Sequence, residues 1–421
     1  ICIAIKLNSS DISAFDLLGQ ILFQESKWKA VRRSYELINR ITGDDISMLN
    51  MRFTLPLVAI SSQELNDSLS SYKQLVQSSH QESKWMGIEQ SLRKSTPLCH
   101  SFFLAYQGDI RLRRYLEEYS NLIRSTCEQV IHKNRLAHSH LKTGQVHFSA
   151  APKANGKIKL GFVSKNFAQH SNLQAHEGLI RHLDRSLFEI VLIHRQGCTK
   201  DLAHKILNES ADQVVYLEND FGGNCKRIAE LQLDILYFTD IGMYPLDSVL
   251  AMVGLAPKQV TGWGIPHTSG LKEVDCYMRS TIFDDCEDES EYTETLTPIQ
   301  GYLGYFEIDR SALESKTRDY FLLPPDRFLI GCLQSIHKIH PDFDAYLEAV
   351  ARLDESILIV IAASEVDALN HRFVRRIRRT APTAHGQICF VQKMNMGDYY
   401  SLNNLLDLNL DTVQYGAGST V

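Results

Sequence analysis

Three side chains that can carry charge or move a proton follow predicted strands. His170 lies in a polar loop after the predicted strand 158–163, Asp240 follows the strand 235–238, and Lys338 follows a later strand. In α/β proteins, ligands bind at the carboxyl ends of parallel strands and against helix N-termini. The spacing therefore puts all three side chains at positions where such proteins hold their ligands.

Each of these residues suits a particular chemical role. A fixed cation such as Lys338 can neutralise an anionic leaving group such as a diphosphate. His170 can act as a general base or can only position the substrates, and Asp240 is a second candidate base. The sequence leaves both roles of His170 open. The alternative for Lys338 is an ordinary surface lysine, and the alternative for His170 is an ordinary polar histidine without a catalytic role.

Two turns carry small and hydroxyl residues that could contact a sugar or a phosphate. The turn after the fifth strand could touch a ligand such as a sugar through backbone groups, and its histidine is predicted to shape the turn rather than to catalyse. It contains Gly264, Pro266, His267 and Thr268. A later Gly-rich loop would offer N–H groups and hydroxyls to phosphate. Its residues are Gly416, Gly418, Ser419 and Thr420.

The elements that must position these residues alternate between strand and helix from residue 157 onward. Strands are predicted at 158–163, 188–193, 214–217, 235–238, 260–263 and 276–278, then at 328–332, 357–362, 388–391 and 408–410. Strands interleaved with helices predict an α/β fold with two doubly wound, Rossmann-like units. The predicted domains are an all-α region (1–150), a first α/β unit (151–310) and a second, incomplete unit (311–421).

The region before the first strand has helical periodicity. Residues 12–43 predict a helix pair in which Gly19 permits a close crossing, and 63–77 and 110–130 continue the helical pattern. The pair resembles one tetratricopeptide unit, although any helical hairpin fits about as well. Such a region could support peptide binding or oligomerisation.

Composition excludes several classes of protein. A net charge of −6 over 421 residues provides no basic excess for general nucleic-acid binding. No apolar run reaches the length of a membrane span. Nine scattered cysteines without paired spacing predict free thiols in a cytoplasmic protein, rather than disulfides or a zinc site. The acidic loop 284–294 is predicted to be solvated surface.

Six segments resemble, in order and spacing, the bacterial relatives of the O-GlcNAc transferase and SPINDLY family of protein glycosyltransferases. They are SFFLAYQG (101–108), KLGFVSKNFAQHS (159–171), LDILYFTDIGM (233–243), LAPKQVTGWGIPHTSG (255–270), QSIHKIHPDFDAY (334–346) and LDTVQYGAGST (410–420). The resemblance implies a GT-B fold and transfer, with inversion, from a UDP-sugar to Ser/Thr hydroxyls of proteins. GlcNAc is the expected sugar.

The resemblance also implies roles for single residues. Lys338 would contact the donor phosphates, within a donor site that includes Gln334 and Ser335, and His170 would be the active-site histidine. Tyr399 falls where family members place a ring or a histidine near the base. Ser335 and Met396 depart from residues that the animal enzymes use, so the exact nucleotide stays open.

No metal or other cofactor is expected in the donor site. Asp342 and Asp344 form a literal Asp-x-Asp triplet, but their place after Pro341 predicts residues that cap a helix, and Lys338 would take the metal's task.

Two alternatives remain beside the UDP-sugar transferase. One is a catalytically degenerate homologue that acts as a peptide-binding module; the other, weaker, is an enzyme acting on small glycans. The chain lacks an initiator Met and stops in the Gly-rich loop, which predicts truncation at both ends and weak UDP binding with little turnover.

Overall fold

The computed structural model describes residues 17–19, 21–23, 27–42, 55–79, 101–108, 111–137, 156–265, 267–282, 289–301, 304 and 314–416. Its α-helices are α1 Trp28–Thr42, α2 Ser62–Ser79, α3 Leu112–Thr126, α4 Glu128–Ala137, α5 Ser171–His182, α6 Leu202–Glu209, α7 Phe221–Glu230, α8 Pro245–Val253, α9 Asp344–Ala351, α10 Asp367–Thr380, α11 Pro382–Gln387 and α12 Met396–Asn403. The predicted domain boundaries near 150 and 310 lie outside these residues.

The strands form two wholly parallel sheets. The first has the order β3-β2-β1-β4-β5-β6-β7 and the second the order β10-β9-β8-β11. They are β1 Ile158–Ser164, β2 Phe188–His194, β3 Gln213–Tyr216, β4 Ile235–Phe238, β5 Lys258–Thr261, β6 Cys276–Ser280, β7 Thr295–Ile299, β8 Phe328–Cys332, β9 Ile357–Ala362, β10 Ile388–Val391 and β11 Leu408–Asn409. The two doubly wound units predicted from the alternation of strand and helix are confirmed.

Both faces of the first sheet are buried, as a parallel sheet requires. Alternate residues of β2 point to opposite faces: Ile190 and Leu192 join one apolar cluster, and Val191 and Ile193 join the other. Helix α8 covers the second of these faces. Pro245 begins it, and Gly254, in the left-handed conformation at φ +76°, ends it.

The part of the chain before β1 packs against both sheets. Residues of α3 and α4 pack into the same cluster as β4, whereas Val58 packs into the core of the second sheet. Arg372 of α10 also donates from Nε to the Val58 carbonyl at 2.9 Å. The helical region therefore shares its core with the α/β units.

The predicted close approach at Gly19 is observed. A methyl group added there would lie 3.2 Å from the Tyr35 ring. Around this contact, Leu22 and Phe23 pack against a small cluster that includes Val31 and Tyr35 of α1. The remaining residues of the proposed helix pair include ranges outside the described part of the chain.

Strand β7 escaped the sequence analysis, which placed no strand between 278 and 328. Its sequence contains Pro298, which lacks the N–H that a central strand needs. The strand lies at the edge of the sheet and pairs only with β6 in the strand order, a position where proline is tolerated. A second difference is that the predicted continuous helix 110–130 is replaced by α3 and α4, which meet at Cys127.

None of the helices in the described ranges combines the length and the apolar character that a bilayer crossing requires.

Candidate functional site

Each sheet has one point where the strand order reverses, and the predicted site residues follow the strands at these points. The first sheet reverses between β1 and β4, whose following loops carry His170 and Asp240. The second reverses between β8 and β11, whose following loops carry Lys338 and Tyr415. Crevices at such reversals are where open α/β sheets bind ligands.

Asp240 is the centre of a buried polar network at the first reversal. Its Oδ2 accepts hydrogen bonds of 2.8 Å from Ser164 Oγ and from Asn166 Nδ2. Only 1% of the residue is exposed, and burial raises the pKa of its carboxyl against the lowering effect of Ser164 and Arg195. This placement favours a role in ordering the loop after β1, rather than direct contact with an acceptor.

A second buried carboxylate extends this network and was missed by the sequence analysis. Asp247, at the start of α8, lies 2.9 Å from Nη1 of Arg195, which directly follows β2. Burial raises the pKa of Asp247 to about 7; Arg195 opposes the shift, and the nearby Asp240 adds to it. Tyr244 completes the network by donating to Asn166 Oδ1 at 3.0 Å. The available signal was an arginine directly after a buried strand.

His170 is the N-cap of α5. Its Nδ1 accepts the backbone N–H of Asn172 at 3.1 Å, so this nitrogen carries no proton. The side chain is exposed in the crevice, yet the surrounding protein desolvates it and lowers its pKa below the ordinary histidine range. A neutral ring with Nδ1 as acceptor has its proton on Nε2. In this conformation His170 offers a ligand a hydrogen-bond donor, which favours positioning over proton abstraction.

The turn after β5 packs against the same helix start. The side chain of Asn172 donates from Nδ2 to the Thr239 carbonyl at 2.9 Å, and Gly264 sits against both groups. His267 donates from Nδ1 to the Thr268 carbonyl at 2.7 Å. Among the described residues, Asn172 Oδ1 and His267 Nε2 find no partner although both atoms are buried. Two unpaired acceptors therefore line this part of the site.

Thr268 has a structural contact that its sequence position did not show. Its hydroxyl donates to Oε2 of the buried Glu294 at 2.6 Å and accepts the backbone N–H groups of Gly270 and Thr293 at 3.1 Å. Thr268 therefore holds the turn in place. Pro266, predicted in the same turn, lies outside the described residues.

Replacing Gly264 with alanine should disrupt this site. A methyl group there would lie 1.5 Å from the Thr239 carbonyl oxygen and 2.8 Å from Asn172 Nδ2. Because that oxygen belongs to the backbone, we expect a loss of unfolding free energy of about 3 kcal/mol, at the upper end of overpacking penalties. Urea denaturation measures it. The control Gly386→Ala, where nothing lies within 4 Å, should be neutral or slightly stabilising; equal stability of both variants would contradict this geometry.

An aromatic segment, the 3-10 helix Ser101–Tyr106, lies between the turn after β5 and the second reversal point. The Phe102 ring lies 6.2 Å from the ring of His267 in the first unit. Tyr106 lies 5.1 Å from His337 and 4.6 Å from Tyr415 in the second unit. This aromatic bridge links the turn after β5 in the first unit with the loops after β8 and β11 in the second.

Lys338 lies at the second reversal point. Its Nζ is 5.0 Å from the centre of the Tyr415 ring, and burial lowers its pKa, with Asp411 as the opposing charge. Behind it, buried Gln334 donates from Nε2 to Asp411 Oδ1 at 2.7 Å and to Thr412 Oγ1 at 3.0 Å. Gln334 thus ties the loop after β8 to the loop after β11 and fixes the frame around Lys338.

The other residues predicted to bind the nucleotide of the sugar donor are less closely grouped. Ser335 is exposed directly after Gln334. Tyr399 is half-buried on α12 and packs against the cluster that contains Leu329 and Leu402. Gly416 contacts Asp411, so that an added methyl group would lie 3.1 Å from Oδ2. Predicted phosphate-loop residues outside the described part of the chain are Gly418, Ser419 and Thr420.

The Asp-x-Asp triplet has its own partners. Asp342 accepts a hydrogen bond of 2.8 Å from Ser62 Oγ of α2, and Asp344 lies 3.0 Å from Nη2 of the buried Arg376. Both aspartates lie in the first turn of a helix, as predicted, but neither makes a side-chain capping bond there. The cap belongs to His340, whose Nδ1 accepts the Asp342 N–H at 3.2 Å.

Comparison with known proteins identifies the type of fold. No family model matches the chain, and the curated proteins contain no match. Among solved structures, a mutant of the O-GlcNAc transferase of Thermobaculum terrenum matches with a TM-score of 0.65 and 16% identity, over 98% of this chain and 74% of that chain. A glycosyltransferase of Rickettsia africae matches with a TM-score of 0.38 and 14% identity, over 61% of this chain and 73% of that chain. The co-structure of S. aureus MnaA with UDP matches with a TM-score of 0.34 and 9% identity, over 61% of this chain and 74% of that chain. The first of these similarities, together with the two parallel sheets, establishes a GT-B type fold.

Proposed function

We propose that the protein is an inverting glycosyltransferase that moves a sugar, GlcNAc, from a UDP-sugar to Ser/Thr hydroxyls of proteins. The observation that carries this proposal is the position of Lys338. In a GT-B type fold, it is a partly buried cation at the reversal point of the second sheet. The aromatic bridge connects its loop to the turn after β5 of the first sheet.

The environment of Lys338 suits a diphosphate. Within the described ranges, no carboxylate oxygen lies within 4.0 Å of its Nζ, and Asp411 acts on it only from a distance. Burial without a close counter-ion disfavours the bare ammonium, which is why its pKa is lowered. An arriving diphosphate would supply the missing negative charge, and its attraction to Lys338 would grow as the leaving group develops charge.

The first-sheet loops suit a polyhydroxylated ligand. His170 offers a donor at Nε2, whereas Asn172 Oδ1 and His267 Nε2 are buried acceptors without partners. Leaving a buried acceptor unsatisfied costs about 1–3 kcal/mol, and a sugar hydroxyl or an acetamido N–H would remove that cost. The six sequence segments that resemble the protein glycosyltransferases support a protein as the acceptor.

The donor site as proposed uses no metal. Asp342 and Asp344, the residues that could recruit one, are engaged by Ser62 and Arg376 respectively. Lys338 provides the positive charge that a divalent cation supplies in other transferases.

Intact-protein and peptide mass spectrometry tests the proposal. The protein is incubated with a Ser/Thr peptide library and either UDP-GlcNAc or UDP-glucose, with and without Mn²⁺. We expect the peptides to gain the mass of one N-acetylhexosamine with UDP-GlcNAc, at a rate that Mn²⁺ does not change. UDP binding without transfer to any peptide would instead indicate the catalytically degenerate homologue. A strict requirement for Mn²⁺ would move the donor site to Asp342 and Asp344.

A further inference from the structure

Two histidines and a cysteine converge behind the loop that carries His170. His194 ends β2, Cys198 lies in the following turn, and His204 lies on α6. One possible ligand atom from each lies within 4.8 Å of the others. Within the described residues this is the group of three such side chains that could hold a metal ion. The sequence offers little sign of this group, because its spacing, His-x3-Cys-x5-His, is not a paired-cysteine pattern.

The hydrogen bonds of His194 leave one nitrogen free. Nε2 contacts Asn208 Oδ1 at 2.6 Å, and an amide oxygen can only accept, so Nε2 carries the proton. Nδ1 therefore has a lone pair, and it has no partner although the residue is fully buried. A neutral imidazole with a fixed tautomer is the form that binds metals.

His204 is oriented in the same way. Nδ1 contacts the Phe167 carbonyl at 3.0 Å and must donate to it, which leaves Nε2 as an acceptor. In this structure Nε2 accepts a hydrogen bond of 3.0 Å from the Tyr216 hydroxyl. That hydroxyl accepts in turn from Asn208 Nδ2 at 3.1 Å. In both histidines one ring N–H donates to an oxygen, and the other ring nitrogen keeps a lone pair. This is the arrangement of histidines that ligate metals.

We propose that His194 Nδ1, His204 Nε2 and the Cys198 thiolate bind one Zn²⁺ ion, which fixes the loop that carries His170. Two imidazoles and a thiolate form a donor set typical of zinc, with a fourth position for water or the Tyr216 hydroxyl. Zinc–ligand bonds of about 2.0–2.3 Å put the ligand atoms about 3.5 Å apart. The three ligand atoms, which lie within 4.8 Å of one another, would therefore approach by about 1 Å, and the half-exposed Cys198 is free to make this movement. On binding, the Cys198 thiol releases its proton to solvent, and His204 exchanges the Tyr216 hydroxyl for the metal.

The connection to the candidate site is direct. His204 bonds the Phe167 carbonyl, and Asp201 in the same turn accepts the N–H of Gln169 at 2.8 Å. Gln169 precedes His170. A metal that anchors His204 and the turn would therefore restrain the backbone from Phe167 to His170 without contacting a substrate. This ion is separate from the donor site and from its chemistry.

Cobalt is the spectroscopic probe for this site. Reduced, metal-free protein titrated with Co²⁺ should bind one equivalent with visible bands of a tetrahedral ion and a thiolate-to-cobalt charge-transfer band, both abolished by Zn²⁺. Cys198→Ser should lose the charge-transfer band and weaken Zn²⁺ binding by more than about 100-fold, beyond the usual effect of losing a supporting contact. The matched control Cys276→Ser, another half-buried free cysteine, should behave as the parent protein. No band in the parent, or an equal band in Cys198→Ser, would overturn the proposal.

Two measurements on the unaltered protein do not depend on the variants folding. Zn²⁺ should protect Cys198 from alkylation by iodoacetamide, read by peptide mass spectrometry, while Cys276 stays as reactive as before. Zn²⁺ should also slow hydrogen exchange in residues 165–170. Unchanged alkylation of Cys198 at saturating Zn²⁺ would reject the site, and unchanged exchange would reject its effect on the His170 loop. None of these readouts requires sugar transfer, so their failure is distinct from failure of the proposed function.

Discussion

Lys338→Ala should reduce sugar transfer by about two orders of magnitude while the protein remains folded. The ammonium is the cation at the second reversal point, and without it the developing diphosphate charge loses its partner. Removing one preorganised electrostatic contact of this kind costs about 3 kcal/mol in the transition state. The measurement is kcat/KM with the UDP-sugar and a reactive peptide, accompanied by a thermal unfolding curve.

Lys393→Ala is the matched control. It removes a lysine from the same unit, but this one is exposed and paired with Glu365 at 2.8 Å, so both transfer and stability should change little. Lys338→Arg keeps the charge but not the shape of the ammonium, and it should give an intermediate rate. Transfer by Lys338→Ala within a few-fold of the parent rate would refute the assignment of the donor phosphates to this residue.

Arg376→Met should destabilise the protein by about 3–5 kcal/mol, because it leaves Asp344 buried without its counter-charge. Both side chains of the pair are almost wholly buried, at 0% and 3% exposed. Arg376 also donates to the carbonyls of Ala59 at 3.0 Å and Ile339 at 2.9 Å. The guanidinium therefore joins α10, the loop after Lys338 and the segment before α2. Urea denaturation gives the change in unfolding free energy.

Two further variants separate the charge from the packing. Arg352→Met removes the exposed partner of Glu348 and should cost no more than about 1 kcal/mol. The double variant Arg376→Met/Asp344→Asn should recover part of the loss, because the remaining buried group is then neutral. A single-variant cost no greater than that of Arg352→Met would show that the buried pair does not hold these elements together.

The sequence by itself determined the strands other than β7, and the candidate site residues that follow them. Runs such as that of β1 are buried on both faces, so their apolar pattern is local and readable without the rest of the chain. Lys338 and His170 could be singled out because each follows such a run in a polar loop. The two doubly wound units followed from the repetition of strand and helix, whereas the GT-B type was implied by the resemblance of six segments.

Only the tertiary structure decided how the loops meet, because strand order and side-chain contacts join residues far apart in the chain. The sequence shows that Asp240 follows a strand but not that Ser164 and Asn166 enclose it. It offers the SFFLAY segment as an apolar block but not as the bridge between the sheets. The tautomer of His170 likewise depends on a capping bond that exists only once the helix has formed. The convergence of His194, Cys198 and His204 required a turn and a helix to fold back onto the end of β2, which no local pattern encodes.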